Sequence, residues 1–426
     1  MASRTQRFGA LAGVLAVSAA TALPNCSSGD GDETGAGASG QTGGKGGSPS
    51  TGASESGGSI LPGGGHLSIG GTINGPANEG GDAPSVSRDD ACATSSDEAT
   101  PLPAVLQLVV DTSGSMDWPP GWAPQSPDDS KPPGATKWDI TRDALLAAVD
   151  ALPGDVALGV NFYPNVQQED ATCLLNQVAV PITFLAEPGS TARQAWENTL
   201  NDVDPIGATP THGAYRFGLT QLADSDLPGN RFLLLITDGT PTCTLDCQCN
   251  EDNLPVDSQP LIDEATAALG DGIHTFVIGS PGSEDTRDVL SRLASEGGTA
   301  RPGCSEAGPD YCHFDMTTEP DLADGLARAL DEIARDVRSC EYPIPAPPRG
   351  QTLDPDRVNV LYTPNGGDTE TIARDPSTTE CNEGWQYTAN GQNIVLCGDA
   401  CAAVRADPSN SIEVLFGCQT VTRDPR

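Results

Sequence analysis

The sequence predicts an α/β fold built on a mostly parallel central sheet, with a small cystine-tied β module after it and a flexible linker ahead of it. Between residues 101 and 340, short β-branched or leucine-rich runs alternate with apolar residues at helical spacing, the pattern of strands joined by crossover helices. Several of these runs end in acids, hydroxyls or glycine, and in open α/β sheets ligand sites gather where strands end in loops. The composition changes on either side of 101–340, to Gly and Ser before it and to Pro, Cys and short β-type runs after it.

The elements follow in order. Residues 105–110 are the first strand. Trp138, Thr141, Leu145, Ala148 and Leu152 then recur at helical spacing and stop at Pro153 and Gly154, a helix-ending pair. Residues 156–163 are a second strand, and 178–185 are expected as an antiparallel edge strand. A polar-faced helix over 191–200, a loop through Thr209 and a helix over 213–222 come next. Phe232 to Ile236 is the most buried-looking strand, and it ends at Thr237, Asp238 and Gly239. Residues 273–278 form a further strand ending in Gly279 with helices on either side, and Leu322, Leu326, Leu330, Ile333 and Val337 mark a last amphipathic helix. Beyond Cys340, prolines at 343, 345, 347 and 348 break the helix, and β-type runs at 358–362, 385–387, 394–396 and 412–416 lie among Cys381, Cys397, Cys401 and Cys418. We read 341–426 as a small all-β module tied by disulfides, which help a thin core at this size.

The first residues speak to compartment. Arg4 and Arg7 precede an apolar run over 8–23, so residues 1–26 read as an export signal rather than a membrane span. Ala20-Thr21-Ala22 is a cleavage site of the A-x-A kind, whereas Leu23-Pro24-Asn25-Cys26 resembles a lipobox with Cys26 as the lipidated residue. The chain has 13 cysteines, so removing Cys26 leaves an even set able to close into disulfides outside the cytoplasm. Residues 27–100 are a Gly/Ser-rich linker with too few large apolar side chains to offset chain entropy. The formal net charge is -37, from 22 Lys and Arg against 59 Asp and Glu, which opposes nucleic acid and anionic lipid as partners. The expected location is the cell envelope or outer surface, with secretion or the periplasm as the alternative.

Three segments, far apart in sequence, fall at strand ends on one edge of the expected sheet. They are Asp111 to Ser115, the loop Gly207-Ala208-Thr209-Pro210-Thr211, and Thr237-Asp238-Gly239. A carboxylate with two short hydroxyls at alternating positions is a set of hard oxygen donors, suited to Mg²⁺ or Mn²⁺ rather than to metals that prefer thiolate or imidazole. With these residues, in this order, residues 104–337 resemble a von Willebrand factor type A (vWA) domain with its metal-ion-dependent adhesion site. The D-x-S-x-S element is met by Asp111, Ser113 and Ser115, the separate threonine by Thr209, and the second aspartate by Asp238. The resemblance implies a Rossmann-like sheet covered by helices on both faces. It also implies that these five residues hold Mg²⁺, with Mn²⁺ or Ca²⁺ as alternatives, directly or through water. An open coordination position then takes an acidic residue of a protein partner. Gly114 is expected to let the backbone pass close to the ion, and Gly239 to permit the tight turn after the strand.

Other features carry alternatives. The proline-rich loop over 117–136 is either a stiff solvated insertion or, through Trp118 and Trp122, part of a partner surface. Cys243, Cys247 and Cys249 are expected in disulfides, with Cys173 elsewhere in the chain, although the spacing also admits zinc. Cys304 and Cys312 close a small loop; Cys92 and Cys340 join the ends of the α/β domain, or else Cys340 pairs into the C-terminal module. His212 follows Thr209 closely enough to line the rim of the site but is expected to be packed or at the surface, and His66, His274 and His313 are scattered. An aspartic-type hydrolase needs two carboxylates on D-T-G or D-S-G turns. Ser113 interrupts the first, and Asp238-Gly239-Thr240 has the wrong order. No G-x-S-x-G elbow, H-E-x-x-H helix or P-loop is present. The expected function is metal-dependent binding of a protein at the cell surface, against a structural or assembly protein of the envelope in which the metal only stabilises loops.

Overall fold

The computed structural model describes residues 85–90, 92–126, 128–164, 178–244, 249, 254–346, 350, 352–377, 381–407 and 409–423. The export signal, Cys26, linker residues 27–84, Cys173 and Cys247 lie outside the described residues. In chain order the first half comprises β1 (Ser95–Ala99), β2 (Ala104–Asp111), α1 (Lys137–Ala151), β3 (Ala157–Tyr163), β4 (Val180–Phe184), α2 (Thr191–Asn201), α3 (Thr211–Asp224) and β5 (Asn230–Thr237). There follow α4 (Gln259–Gly270), β6 (Ile273–Gly279), α5 (Arg287–Glu296), β7 (Phe314–Asp315), α6 (Leu322–Asp336), β8 (Glu341–Pro343) and β9 (Val358–Thr363). The chain continues through β10 (Glu370–Ile372), β11 (Gly384–Tyr387), β12 (Asn393–Cys397), α7 (Gly398–Ala406) and β13 (Ser411–Phe416).

The central sheet has six strands in the order β4-β3-β2-β5-β6-β7, and β4 alone runs antiparallel, at the edge. Every residue of β2 and β3 is buried, which is why these strands read as unbroken apolar runs: both faces are covered by helices. Alternation along the strands divides the core. Leu106, Leu108, Val110, Phe162, Leu234 and Ile236 face one way, onto Trp138, Leu145 and Val149 of α1 and Leu326, Leu330 and Ile333 of α6. Val105, Val109, Leu233, Leu235 and Val277 face the other way, onto Ala214 and Tyr215 of α3, Leu261 of α4 and Leu290 of α5. This is the doubly covered, mostly parallel sheet that the sequence predicts, with its antiparallel edge strand in place.

The C-terminal module holds a four-stranded antiparallel sheet, β1-β13-β9-β10, and a three-stranded one, β11-β12-β8. They enclose a core around Trp385, Tyr342, Val360, Ile394 and Val414. One helix, α7, sits among the expected strands. Two expectations are corrected. The linker expected over 27–100 does not extend that far: Ser95–Ala99 is a strand registered against β13, from Ser95 opposite Phe416 to Ala99 opposite Ile412. It is an edge strand whose only buried residue is Ala99, so Ser-Ser-Asp-Glu-Ala lacks the apolar alternation that betrays a strand. Cys92 does not join Cys340: it bridges Cys418, while Cys340 takes the alternative and bridges Cys401. Cys381–Cys397, Cys304–Cys312 and Cys243–Cys249 are the other disulfides among the described residues, so Cys243 and Cys249 are committed to each other and not to zinc. No helix among the described residues is long and apolar enough to cross a membrane.

Candidate metal centre

The parallel strands β2 and β5 lie side by side and end together, Val110 opposite Ile236, so the residues just past each end meet above the sheet edge. Asp111 is fully buried and held from two sides. The Ser113 backbone N–H donates to its Oδ1 at 2.9 Å, and the Thr237 hydroxyl donates to its Oδ2 at 2.7 Å. Ser113 Oγ lies 3.2 Å from Ser115 Oγ, and Ser115 Oγ donates to Asp238 Oδ1 at 2.8 Å. Four of the five residues singled out in the sequence, Asp111, Ser113, Ser115 and Asp238, thus form one linked cluster of oxygens. Thr209 arrives by its loop. Gly114 N–H donates to Gly207 O at 3.1 Å, and Thr209 exchanges two bonds with Thr242, its N–H to Thr242 Oγ1 at 3.0 Å and its carbonyl accepting from Thr242 N–H at 3.1 Å. No hydrogen bond among the described residues joins the Thr209 side chain to the other four. Cys243, next to Thr242, bridges Cys249, so a covalent loop braces the segment that clamps Thr209.

The electrostatics are those of a cluster short of positive charge. Burial first, and the Asp238 carboxylate second, push the Asp111 carboxyl from 3.8 up to about 7, against the lowering effect of hydrogen bonding by Ser113 and Thr237. A divalent cation would reverse that shift. The donors are hard oxygens gathered from two strand ends into one hydrogen-bonded cluster, so the residues present fit Mg²⁺ or a similar ion.

Sequence reasoning missed Lys137. It is the first residue of α1, capped by Thr136, whose hydroxyl accepts from Asp139 N–H while the Asp139 carboxylate accepts from Thr136 N–H. Its side chain is only 4% exposed, and its Nζ lies 2.5 Å from Asp238 Oδ2, a charge contact out of line for a hydrogen bond. It donates to Pro281 O at 2.9 Å. A lysine opening a helix reads as solvated; nothing local signals that the 118–136 loop delivers it inward. A glycine not among those expected also bears on the site. A Cβ at Gly239 would meet nothing, and at Gly114 it would make ordinary contact at 3.6 Å. Gly282 has φ +116°, and a Cβ there would fall 2.5 Å from Asp238 O and 3.1 Å from Lys137 Nζ. Thr237 and Thr242 were also not singled out as partners of the cluster. His212 is packed inside at 1% exposure, and burial lowers its pKa, so it does not line the rim.

Beside the cluster opens a cavity of about 460 Å³ lined by Ser115, Asp238, Lys137, Trp118, Trp122 and Glu284, among others. Trp118 and Trp122 are half-buried, their rings edge to face with centroids 6.1 Å apart, and Lys137 Nζ lies 5.7 Å from the Trp118 ring centre. The proline-rich loop therefore forms one wall of the site.

No family model and no curated protein matches this chain. Among solved structures, the PilB minor pilin from Streptococcus sanguinis is similar at 17% identity over 56% of this chain and 63% of the pilin, with a TM-score of 0.37. The pilus adhesin SpaC from Lactobacillus rhamnosus GG is similar at 14% identity over 77% of this chain and 41% of the adhesin, with a TM-score of 0.39. The vWF domain of the type V pili tip protein Mfa5 from Porphyromonas gingivalis is similar at 12% identity over 56% of this chain and 96% of that domain, with a TM-score of 0.36. The chain thus spans less than two thirds of the length of the pilin and the adhesin.

Proposed function

We propose that this chain is an exported, surface-held binding protein. It takes a divalent cation, Mg²⁺ before Mn²⁺ or Ca²⁺, on Asp111, Ser113, Ser115, Thr209 and Asp238, and through the cation an acidic residue of a protein partner. The observation that carries the reading is the oxygen cluster itself: two buried carboxylates and the hydroxyls of Ser113, Ser115 and Thr237 from two adjacent strand ends, linked at 2.7–3.2 Å, with Asp111 held well above its ordinary range. Water-bridged and direct oxygen ligands of this kind leave a hard cation a position for an incoming carboxylate. The Trp118 and Trp122 wall gives the partner an amphipathic surface next to that position. The N-terminal signal with Cys26 as a lipid anchor, and the linker behind it, supply the export and the reach.

A hydrolase of the aspartic type is not supported. Such chemistry needs the two carboxylates facing each other over a shared proton. Here both oxygens of Asp111 are taken by Ser113 and Thr237, and those of Asp238 are taken by Ser115 and Lys137. The test is calorimetric titration of the full chain with Mg²⁺, Mn²⁺ and Ca²⁺, expected to show one site. Bead capture from the surface fraction of the producing cells, with and without chelator, then reads the partner. Absence of binding for all three ions defeats the proposal. Ion binding with chelator-insensitive capture moves it to the envelope-scaffold alternative.

A further inference from the structure

Lys137 places a cation inside the oxygen cluster, and the fold goes to some length to keep it there. The ammonium is buried against Asp238 Oδ2 at 2.5 Å and donates to Pro281 O, under a glycine whose missing side chain leaves it room. Burying a lysine is costly unless its charge is matched, and the carboxylate that matches it is one of the two in the cluster. The oxygens of Asp238 are thereby divided: Oδ1 faces Ser115 and the cluster, and Oδ2 faces Lys137. We infer that Lys137 sets the charge of the cation site, cancelling one carboxylate so that the loaded site stays net positive toward an anionic ligand while the free site holds its cation weakly.

The inference rests on the cation site proposed above. Two carboxylates against a dication would be neutral; with the ammonium added, one positive charge remains within the cluster, Glu284 lying on the cavity wall outside it with its carboxylate accepting from Gly282 N–H. On a chain of formal net charge -37, a neutral site would offer an acidic partner the coordination bond but no net charge to set against the repulsion of the surface. A locally positive site offers both, and by linkage the carboxylate that completes it must in turn tighten the cation. Cation and acidic ligand therefore raise each other's affinity.

The experiment is calorimetric titration of the full chain with Mg²⁺, with and without sodium glutarate as the carboxylate probe, for the parent, Lys137→Gln and Lys137→Arg. Lys137→Gln should bind Mg²⁺ about tenfold more tightly than the parent or better, because a like charge beside the ion is gone. It should also lose the tightening by glutarate. Lys137→Arg should keep the parent's behaviour. If the parent binds Mg²⁺ and Lys137→Gln binds it no more tightly, Lys137 is a structural ion-pair partner only, and the inference falls while the cation site stands. If none of the three chains binds Mg²⁺, the site reading itself falls and takes the inference with it. Should Lys137→Gln fail to fold, the parent alone decides: glutarate must tighten its Mg²⁺ binding, and no tightening overturns the proposal.

Discussion

Replacing Asp111 by Asn should make the metal-free protein more stable while removing its response to metal. The carboxyl of Asp111 rises from 3.8 to about 7 on folding, chiefly through burial and then through Asp238. At ~1.4 kcal/mol per pH unit this corresponds to about 4 kcal/mol by which the ionised carboxylate destabilises the empty fold. Because the pKa is raised, the folded chain holds a proton that the unfolded chain has lost. The penalty is absent below about pH 4, grows as the pH climbs, and is complete above about pH 7. Asparagine keeps an oxygen for the Ser113 N–H and can donate to the Thr237 hydroxyl, so both existing contacts have replacements. Urea unfolding in chelator, followed through the buried Trp138 and Trp196 of the α/β domain, should show Asp111→Asn about 2–4 kcal/mol more stable than the parent at pH 8. The gap should narrow to less than about 2 kcal/mol at pH 5. Added Mg²⁺ should raise the parent's midpoint and leave the variant's unmoved. A variant no more stable than the parent at pH 8, or one that Mg²⁺ stabilises equally, would refute the reasoning.

Thr209→Ala should weaken Mg²⁺ binding by about 10–100-fold in calorimetry. Metal-free stability should change by less than about 1 kcal/mol, since backbone bonds from Gly207 and Thr242 hold its loop. Trp118→Ala with Trp122→Ala should leave the Mg²⁺ isotherm within about twofold, since neither ring belongs to the oxygen cluster, and reduce chelator-sensitive partner capture at least about fivefold; unchanged capture would remove the Trp wall from the interface. Cys340→Ala with Cys401→Ala opens a bridge spanning 61 residues and should lower the stability of the C-terminal module by about 4 kcal/mol, read by the fluorescence of buried Trp385, with Mg²⁺ binding retained.

What could be read in advance follows from where the signal is local. Asp111, Ser113 and Ser115 declare themselves because β2 is an unbroken apolar run that stops at an acid, and a strand buried on both faces has few ways to be written. Asp238 is legible for the same reason at the end of β5. Lys137 is not, because its burial depends on the course of a twenty-residue proline-rich loop, and lysine at the start of a helix is ordinarily solvated. The strand β1 escapes because an edge strand with one buried residue needs no apolar alternation. The Cys92–Cys418 bridge escapes because cysteine count and spacing do not determine connectivity.

That bridge also determines how the molecule bears tension. Cys92 and Cys418 are 326 residues apart, so the α/β domain lies within a covalent ring. The chain enters and leaves that domain side by side, Leu102 N–H donating to Glu341 O at 2.9 Å. A pull on the segment ahead of Cys92 therefore reaches both ends of the domain together. It cannot draw them apart, and so it cannot unravel the sheet by stretching it end to end. The oxygen cluster sits at the far ends of β2 and β5, while the pull enters where β2 begins. If the proposed partner is held at the cluster, the load runs lengthwise along β2, which is paired on both sides, by β3 and by β5.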